Sequence, residues 1–275
     1  MRNGELKELF DTIEEGFAYL NIDFYLIGAL ARQVWYDKED IVYRRTKDVD
    51  YGVLISTQQE YEEIKRYLIT RAKFTESQDN AFLMISPDGI QVDLLPFGDI
   101  ENTGSVLRDS HGMTSIKVDG MMEVFRLGTR EVTFETGHTF KVATLSGITI
   151  LKFIAYDDRP EQRQKDITDI ANIIKHFFQL HEELIYEEHN DLFDESINTR
   201  FESIGPIVLG REMQRICNEN EGLKTRIASI FAKHIEQKEQ SSLLKLLVAA
   251  QREAELSIED ASEILKNIRR GFLAQ

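Results

Sequence analysis

The chain has almost no cysteine, too few bases to balance its acids, and no long apolar run, and each of these absences closes a class of function. Its one cysteine, Cys217, cannot form an internal disulfide, and no Cys/His group has the spacing of zinc ligands. Cys217 reads as a small buried hydrophobe on a helix. No apolar stretch approaches the roughly 20 residues that span a bilayer, and the opening MRNGELKELF has no signal-peptide apolar region. The expected location is the cytoplasm, with no membrane partner. Lys and Arg number 33 against 48 Asp and Glu, a net charge of −15. That balance argues against non-specific nucleic-acid binding, which needs cations to displace counterions from phosphates, while leaving room for a local basic patch that docks RNA. No repeat, low-complexity run or long linker is present.

What is there is an ordinary globular composition, 42% hydrophobic and 29% charged over 275 residues. This length suggests roughly two domains of about 150 residues each. The stretch around which the chain is organised is Tyr25 to Leu54, and within it Asp48-Val49-Asp50. Side chains on a strand alternate faces, so if KDVDYGVLI is a strand the two carboxylates share one face. An isolated Asp-x-Asp is a common surface pattern. Here it is set among Val49, Val53, Leu54 and Ile55, where uncompensated carboxylates are costly. A hard divalent ion with oxygen ligands, Mg²⁺ above all, is the usual answer to such a pair and suits phosphoryl chemistry. Before it, FYLI runs into Gly28-Ala29 and an expected helix ALARQVWY. A glycine at a strand-to-helix junction lets backbone N–H groups approach a phosphate.

Elsewhere the apolar periodicity predicts a helix over 5–20, with Leu6, Leu9, Phe10, Ile13, Phe17 and Leu20 inward. A connection containing Arg44, Arg45 and Lys47 leads to the Asp48 strand; these cations either neutralise neighbouring acids or grip a triphosphate. A helix over 57–72 turns Tyr61, Ile64, Leu68 and Ile69 inward and has the length of a parallel crossover. AFLMI and IQVDLLPF flank Ser86-Pro87-Asp88-Gly89 as a hairpin. On its second strand Asp93 faces away from Ile90, Val92 and Leu94, a third candidate metal ligand beside the Asp48 strand.

Residues 98–130 say little. Strands EVTFE and TFKVATL follow, then a helix SGITILKFIAYDD with Ser146 as N-cap and Lys152 within it. A second helix runs from Glu161 to Leu180 with Pro160 near its first turn, Ile167, Ile170, Ile174 and Phe177 inward, and Lys165, Asp166 and Asp169 near its start. The rest reads as helical: an acidic stretch from His181, a break at Gly205-Pro206, one helix over 211–235, another over 241–256, and a last one capped by Ser257 with Asp260 three residues on.

In order, the small-residue turn, Arg44-x-Thr46-x-Asp48-x-Asp50 and a later strand aspartate resemble the nucleotidyltransferases of the polymerase β type. The likeness is closer to the bacterial AbiEii-like nucleotidyltransferases, among them toxins of toxin–antitoxin and abortive-infection systems. That family also carries a helical lysine and an Arg followed by Lys-Asp-x-x-Asp, matched here by Lys152, Arg159, Lys165, Asp166 and Asp169. The resemblance covers roughly residues 20–180. It implies an α+β fold: a nucleotidyltransferase palm over 1–145, with a mixed sheet and flanking helices, then a helical region over 146–275. The implied activity moves a nucleoside monophosphate from a nucleoside triphosphate to an acceptor hydroxyl of tRNA, other RNA or protein, with an antitoxin as a further partner.

On the resemblance, Asp48, Asp50 and Asp93 would hold two Mg²⁺ ions about 3.5–4 Å apart. Gly28, Ala29, Arg44, Thr46, Lys152 and Asp166 would contact the nucleotide, and Lys152 would balance charge on the departing pyrophosphate. Asp93 and Asp166 compete as third acidic ligand, Asp93 being favoured as a strand neighbour. The family's turn reads Gly-Gly-Thr or Gly-Ser, whereas this chain has Gly28-Ala29-Leu30 and so lacks a hydroxyl or second glycine there. Two other functions suit the sequence: a palm-fold protein without catalysis that binds a partner, and a nucleotidyltransferase acting on an antibiotic-like small molecule through a pocket in its helical half.

Overall fold

A computed structural model describes residues 3–39, 41, 48–101, 105–107, 115–194, 199–251 and 255–274. The chain divides into two compact units, 1–144 and 145–275.

The first unit is built on a seven-stranded sheet. Helix α1 (Asn3–Leu20) leads into β1 (Phe24–Ile27), α2 (Gly28–Tyr36), β2 (Asp48–Leu54), α3 (Gln58–Ala72), β3 (Thr75–Glu76), β4 (Leu83–Ile85) and β5 (Gln91–Phe97). A two-stranded ribbon, β6 (Ser105–Leu107) with β7 (Ser115–Lys117), precedes α4 (Met121–Leu127), β8 (Thr129–Thr133) and β9 (Thr139–Ala143). The sheet order is β3-β4-β5-β2-β1-β9-β8. It is mixed: β2 runs parallel to β5 and β1 parallel to β9, while β1–β2, β3–β4, β4–β5 and β8–β9 are antiparallel. The 57–72 helix therefore belongs to a crossover, and the parallel partner it leads to is the second strand of the hairpin.

One face of the sheet carries the core of this unit. Phe17 of α1 packs against Phe24 and Tyr51, and Phe10 against Phe140. Tyr61 of α3 donates its hydroxyl to the Leu94 carbonyl. The helix is held at its start by a capping box between Thr57 and Glu60. Ile69, expected inward, is 37% exposed, and Lys65 is buried in the same helix, donating to the Ala81 carbonyl and pairing with Glu76.

The other face is divided along its length. Tyr25 meets Phe97 and Phe125 and donates to the Met121 carbonyl, so α4 covers the Gly52 end of β2. On the same face, two and four residues back along β2, stand Asp50 and Asp48. The sequence Asp-x-Asp-x-Gly thus runs from an acidic end to a covered apolar one.

The second unit is helical: α5 (Leu145–Asp158), α6 (Gln164–Leu180), α7 (Glu182–Glu188), α8 (Phe201–Cys217), α9 (Glu221–Gln237), α10 (Ser242–Ala250) and α11 (Ile258–Phe272). Ile167, Ile170, Ile174 and Phe177 are buried as the periodicity requires, and Cys217 is buried and outside any disulfide. The capping box of Ser257 and Asp260 is present.

Several boundaries differ from expectation, among them that of the helix expected over 241–256, which ends at Ala250. Ser146 is buried in the first turn of α5 and does not cap it, because the helix begins one residue earlier. Pro160 lies in the turn before α6, which starts at Gln164. Pro206 does not break the chain but sits inside α8, where burial of Ile204, Ile207, Val208 and Leu209 outweighs one missing backbone bond. The helix expected over 211–235 is two helices, separated at Asn220, whose side chain accepts the Leu223 N–H as the cap of α9.

Close packing of α8 on α11 depends on two glycines. A β-carbon at Gly210 would collide with the Ile268 carbonyl, and one at Gly271 with that of Ile207.

Candidate functional site

Asp50 of β2 and Asp93 of β5 are register partners on adjacent parallel strands. Partners in a sheet point to the same face at a strand spacing of about 4.8 Å, so the two half-buried carboxylates stand side by side. Asp48 shares that face two residues earlier, exposed, with Gln91 as its register partner. Among the described residues no three His, Cys, Asp or Glu side chains converge closely enough to hold a metal between them. The acidic set is a facing pair with one more carboxylate toward its exposed end.

Gly28 closes one side of the pair. It follows Ile27, the register partner of Asp50, and begins α2 with φ +69°. That angle favours glycine, and a β-carbon there would collide with Asp50 Oδ2. The small residue admits the Asp50 carboxylate to the start of a helix, where backbone dipoles favour negative charge. Ala29 and Leu30 follow, half-buried, in the first turn.

On the other side Asn80 Nδ2 donates to Asp93 Oδ1 at 3.2 Å, while its own Oδ1 accepts the Phe82 N–H at 3.0 Å. The sequence reading passed over Asn80. The available signal was an Asn shortly before the Leu83–Ile85 strand, a placement that invites a side-chain-to-backbone turn.

Two hard oxygen donors on one face fit a magnesium ion, which is commonly held by one or two carboxylates with water and substrate phosphates completing the shell. Arg44 and Thr46, like Arg45 and Lys47, lie outside the described residues.

Lys152 and Asp166 belong to the helical unit. Lys152 Nζ lies 2.6 Å from Asp166 Oδ1 and 2.9 Å from Asp169 Oδ2, with side-chain exposures of 13%, 13% and 2% respectively. The lysine of α5 is thus held between two carboxylates one turn apart on α6. Arg159 pairs with its neighbour Asp158, and Lys165 is exposed.

Other polar clusters of this unit left no clear trace in the sequence. Arg211 makes two bonds to Asp191, at 2.7 and 2.6 Å, and a third to buried His189 at 3.2 Å. The hydrogen bond from Arg211 and its charge hold Asp191 below the usual carboxylate range. Burial pushes the imidazole of His234 down to about 4, and its Nδ1 meets Ser241 Oγ at 3.0 Å. An open concavity of about 2,340 Å³ is lined by Phe178, Arg200, Phe201, Lys233 and Lys266 among others. It is larger than the roughly 300–1,000 Å³ of pockets that enclose small molecules.

No family model matches the chain, and no curated protein matches it. Among solved structures it is similar to the antibiotic-resistance factor ANT(2'')-Ia in solution, with 14% identity and a TM-score of 0.38 over 84% of this chain and 96% of that one. A likeness of that size assigns neither fold nor function, and the case for this site rests on its own residues.

Proposed function

We propose that the sheet unit is a nucleotidyltransferase centre that moves a nucleoside monophosphate from a triphosphate to an acceptor hydroxyl. The observation that carries this reading is the register of Asp50 with Asp93, beside a glycine whose geometry admits the Asp50 carboxylate. Asp50 and Asp93 would hold a divalent cation, with Asp48 available at the exposed end for a second. When bound, the ion would neutralise the triphosphate and favour ionisation of the attacking hydroxyl. The acceptor oxygen forms a bond to the α-phosphorus as the bond from that phosphorus to the bridging oxygen breaks, and pyrophosphate leaves. Asp93 takes the hydroxyl proton at the oxygen not bonded to Asn80. The N-terminal turn of α2, Gly28 and Ala29, presents its dipole to the phosphates from beside Asp50.

Lys152 is assigned no step here, because Asp166 and Asp169 already hold its ammonium. Whether the acceptor is RNA or protein, and whether an antitoxin binds, are parts of the proposal that the resemblance supplies. Transfer of label from α-labelled ATP, CTP, GTP and UTP with Mg²⁺, onto total tRNA and onto protein, tests the reading. Label is expected with the intact protein and to fall at least a hundredfold in Asp50→Asn. An Asp50→Asn protein that transfers at the normal rate would refute it.

A further inference from the structure

We infer that Asn80 is a positioning residue for Asp93, an inference that rests on the proposed metal role of the Asp50–Asp93 pair. Asn80 is bound at both ends of its amide: Oδ1 accepts the Phe82 N–H, and Nδ2 donates to Asp93 Oδ1. The first bond decides the second. With the carbonyl end committed to the backbone two residues on, the NH₂ end can only face the carboxylate.

The segment that carries Asn80 is itself fastened to β5. The Phe82 carbonyl accepts the Leu94 N–H at 2.9 Å, and Leu83 is the register partner of Asp93. Asn80 is therefore held near Asp93 by the backbone links of the segment that follows it, and its amide is oriented by the bond to the Phe82 N–H.

The chemistry of the donor matters as much as its position. A lysine or arginine in this place would supply the positive charge that a divalent ion is proposed to bring, and would compete with it. An amide fixes the plane of the carboxylate through one oxygen and adds no positive charge of its own. Outer partners of this kind typically account for about 10–100-fold in metal affinity.

The test is titration of the full-length protein with Mn²⁺ alone, followed by electron paramagnetic resonance, with thermal melts as a fold control. Asn80→Ser is the informative variant, because its hydroxyl can still accept the Phe82 N–H but is too short to reach Asp93. Affinity is expected to fall about tenfold or more in Asn80→Ser and Asn80→Ala, with the melting temperature of Asn80→Ser close to that of the parent. Parental affinity in Asn80→Ser, with binding lost in Asp93→Asn, would overturn the role of Asn80 and leave the metal reading standing. Parental affinity in Asp93→Asn, or no Mn²⁺ binding by the parent, would overturn both.

Discussion

Each unit of this protein brings two aspartates onto one face, and the two pairs are settled in different ways. In the helical unit Asp166 and Asp169 are three residues apart on α6, so helical geometry puts them side by side, and Lys152 bridges them. In the sheet unit Asp50 and Asp93 are brought together by strand register, with a glycine against one and a neutral amide on the other. The first arrangement carries its own counter-charge and fastens α5 to α6. The second is placed by strand register, with a glycine against Asp50 and an amide bonded to Asp93. The resemblance that directs attention to Asp48, Asp50, Lys152 and Asp166 together does not make this distinction.

The largest expected effect sharpens the helical side. Lys152→Met would leave two carboxylates facing each other with little access to water. Removing one partner of a buried ionic network costs about 3–5 kcal/mol. Urea unfolding should show a loss of that order, and a loss below about 1 kcal/mol would mean that the network does not fasten the two helices.

Acid should act on the helical side next. The imidazole of His234 is held neutral by burial down to about 4, with Lys233 adding to the effect and Asp157 opposing it. Its pKa in the unfolded chain is about 6.5. A folded pKa below the unfolded one means that the stability it confers is fully present above about pH 6.5 and is lost as pH falls toward 4. The loss is on the order of 2–3 kcal/mol over that window. Stability measured in urea at pH 7 and pH 4.5 should show the slope in the parent and a flatter one in His234→Leu. An unchanged slope in the variant would place the acid sensitivity elsewhere.

How much of this was legible in the sequence depends on the range of the interaction. Periodicity places the helices and strands, and the Pro-Asp-Gly turn places the hairpin that carries Asp93, because these patterns act over a few residues. The face shared by Asp48 and Asp50 follows from alternation alone. The partnership of Asp93 with Asp50 was an expectation about which strands lie side by side, and the register fulfils it. Pro206 went the other way, since the packing of α8 overrides local propensity, and Ile69 is exposed despite its place in the apolar pattern. Asn80 was missed because its role depends on a residue thirteen positions away, and nothing in DNAF distinguishes it from any turn asparagine. The same holds for Arg211, which reaches twenty residues back to Asp191.

The smallest effect gives the most direct test of the comparison, because it turns on sign. Asp93→Asn removes one of two like charges from the sheet pair without changing the shape of the side chain. If the pair is held for an external cation, the metal-free protein bears a cost of like-charge proximity that the substitution relieves. In chelator-containing buffer Asp93→Asn should be as stable as the parent or more stable by up to about 1 kcal/mol, as is common when a functional charge is removed. The bond with Asn80 survives if the new amide turns its carbonyl oxygen toward Nδ2, so the hydrogen-bonding loss is small. Lys152→Met, in contrast, removes charge and is expected to destabilise. A loss of 2 kcal/mol or more in Asp93→Asn would mean that its carboxylate is an internal fastening like that of Asp169, and the two pairs would then differ only in which partner closes them.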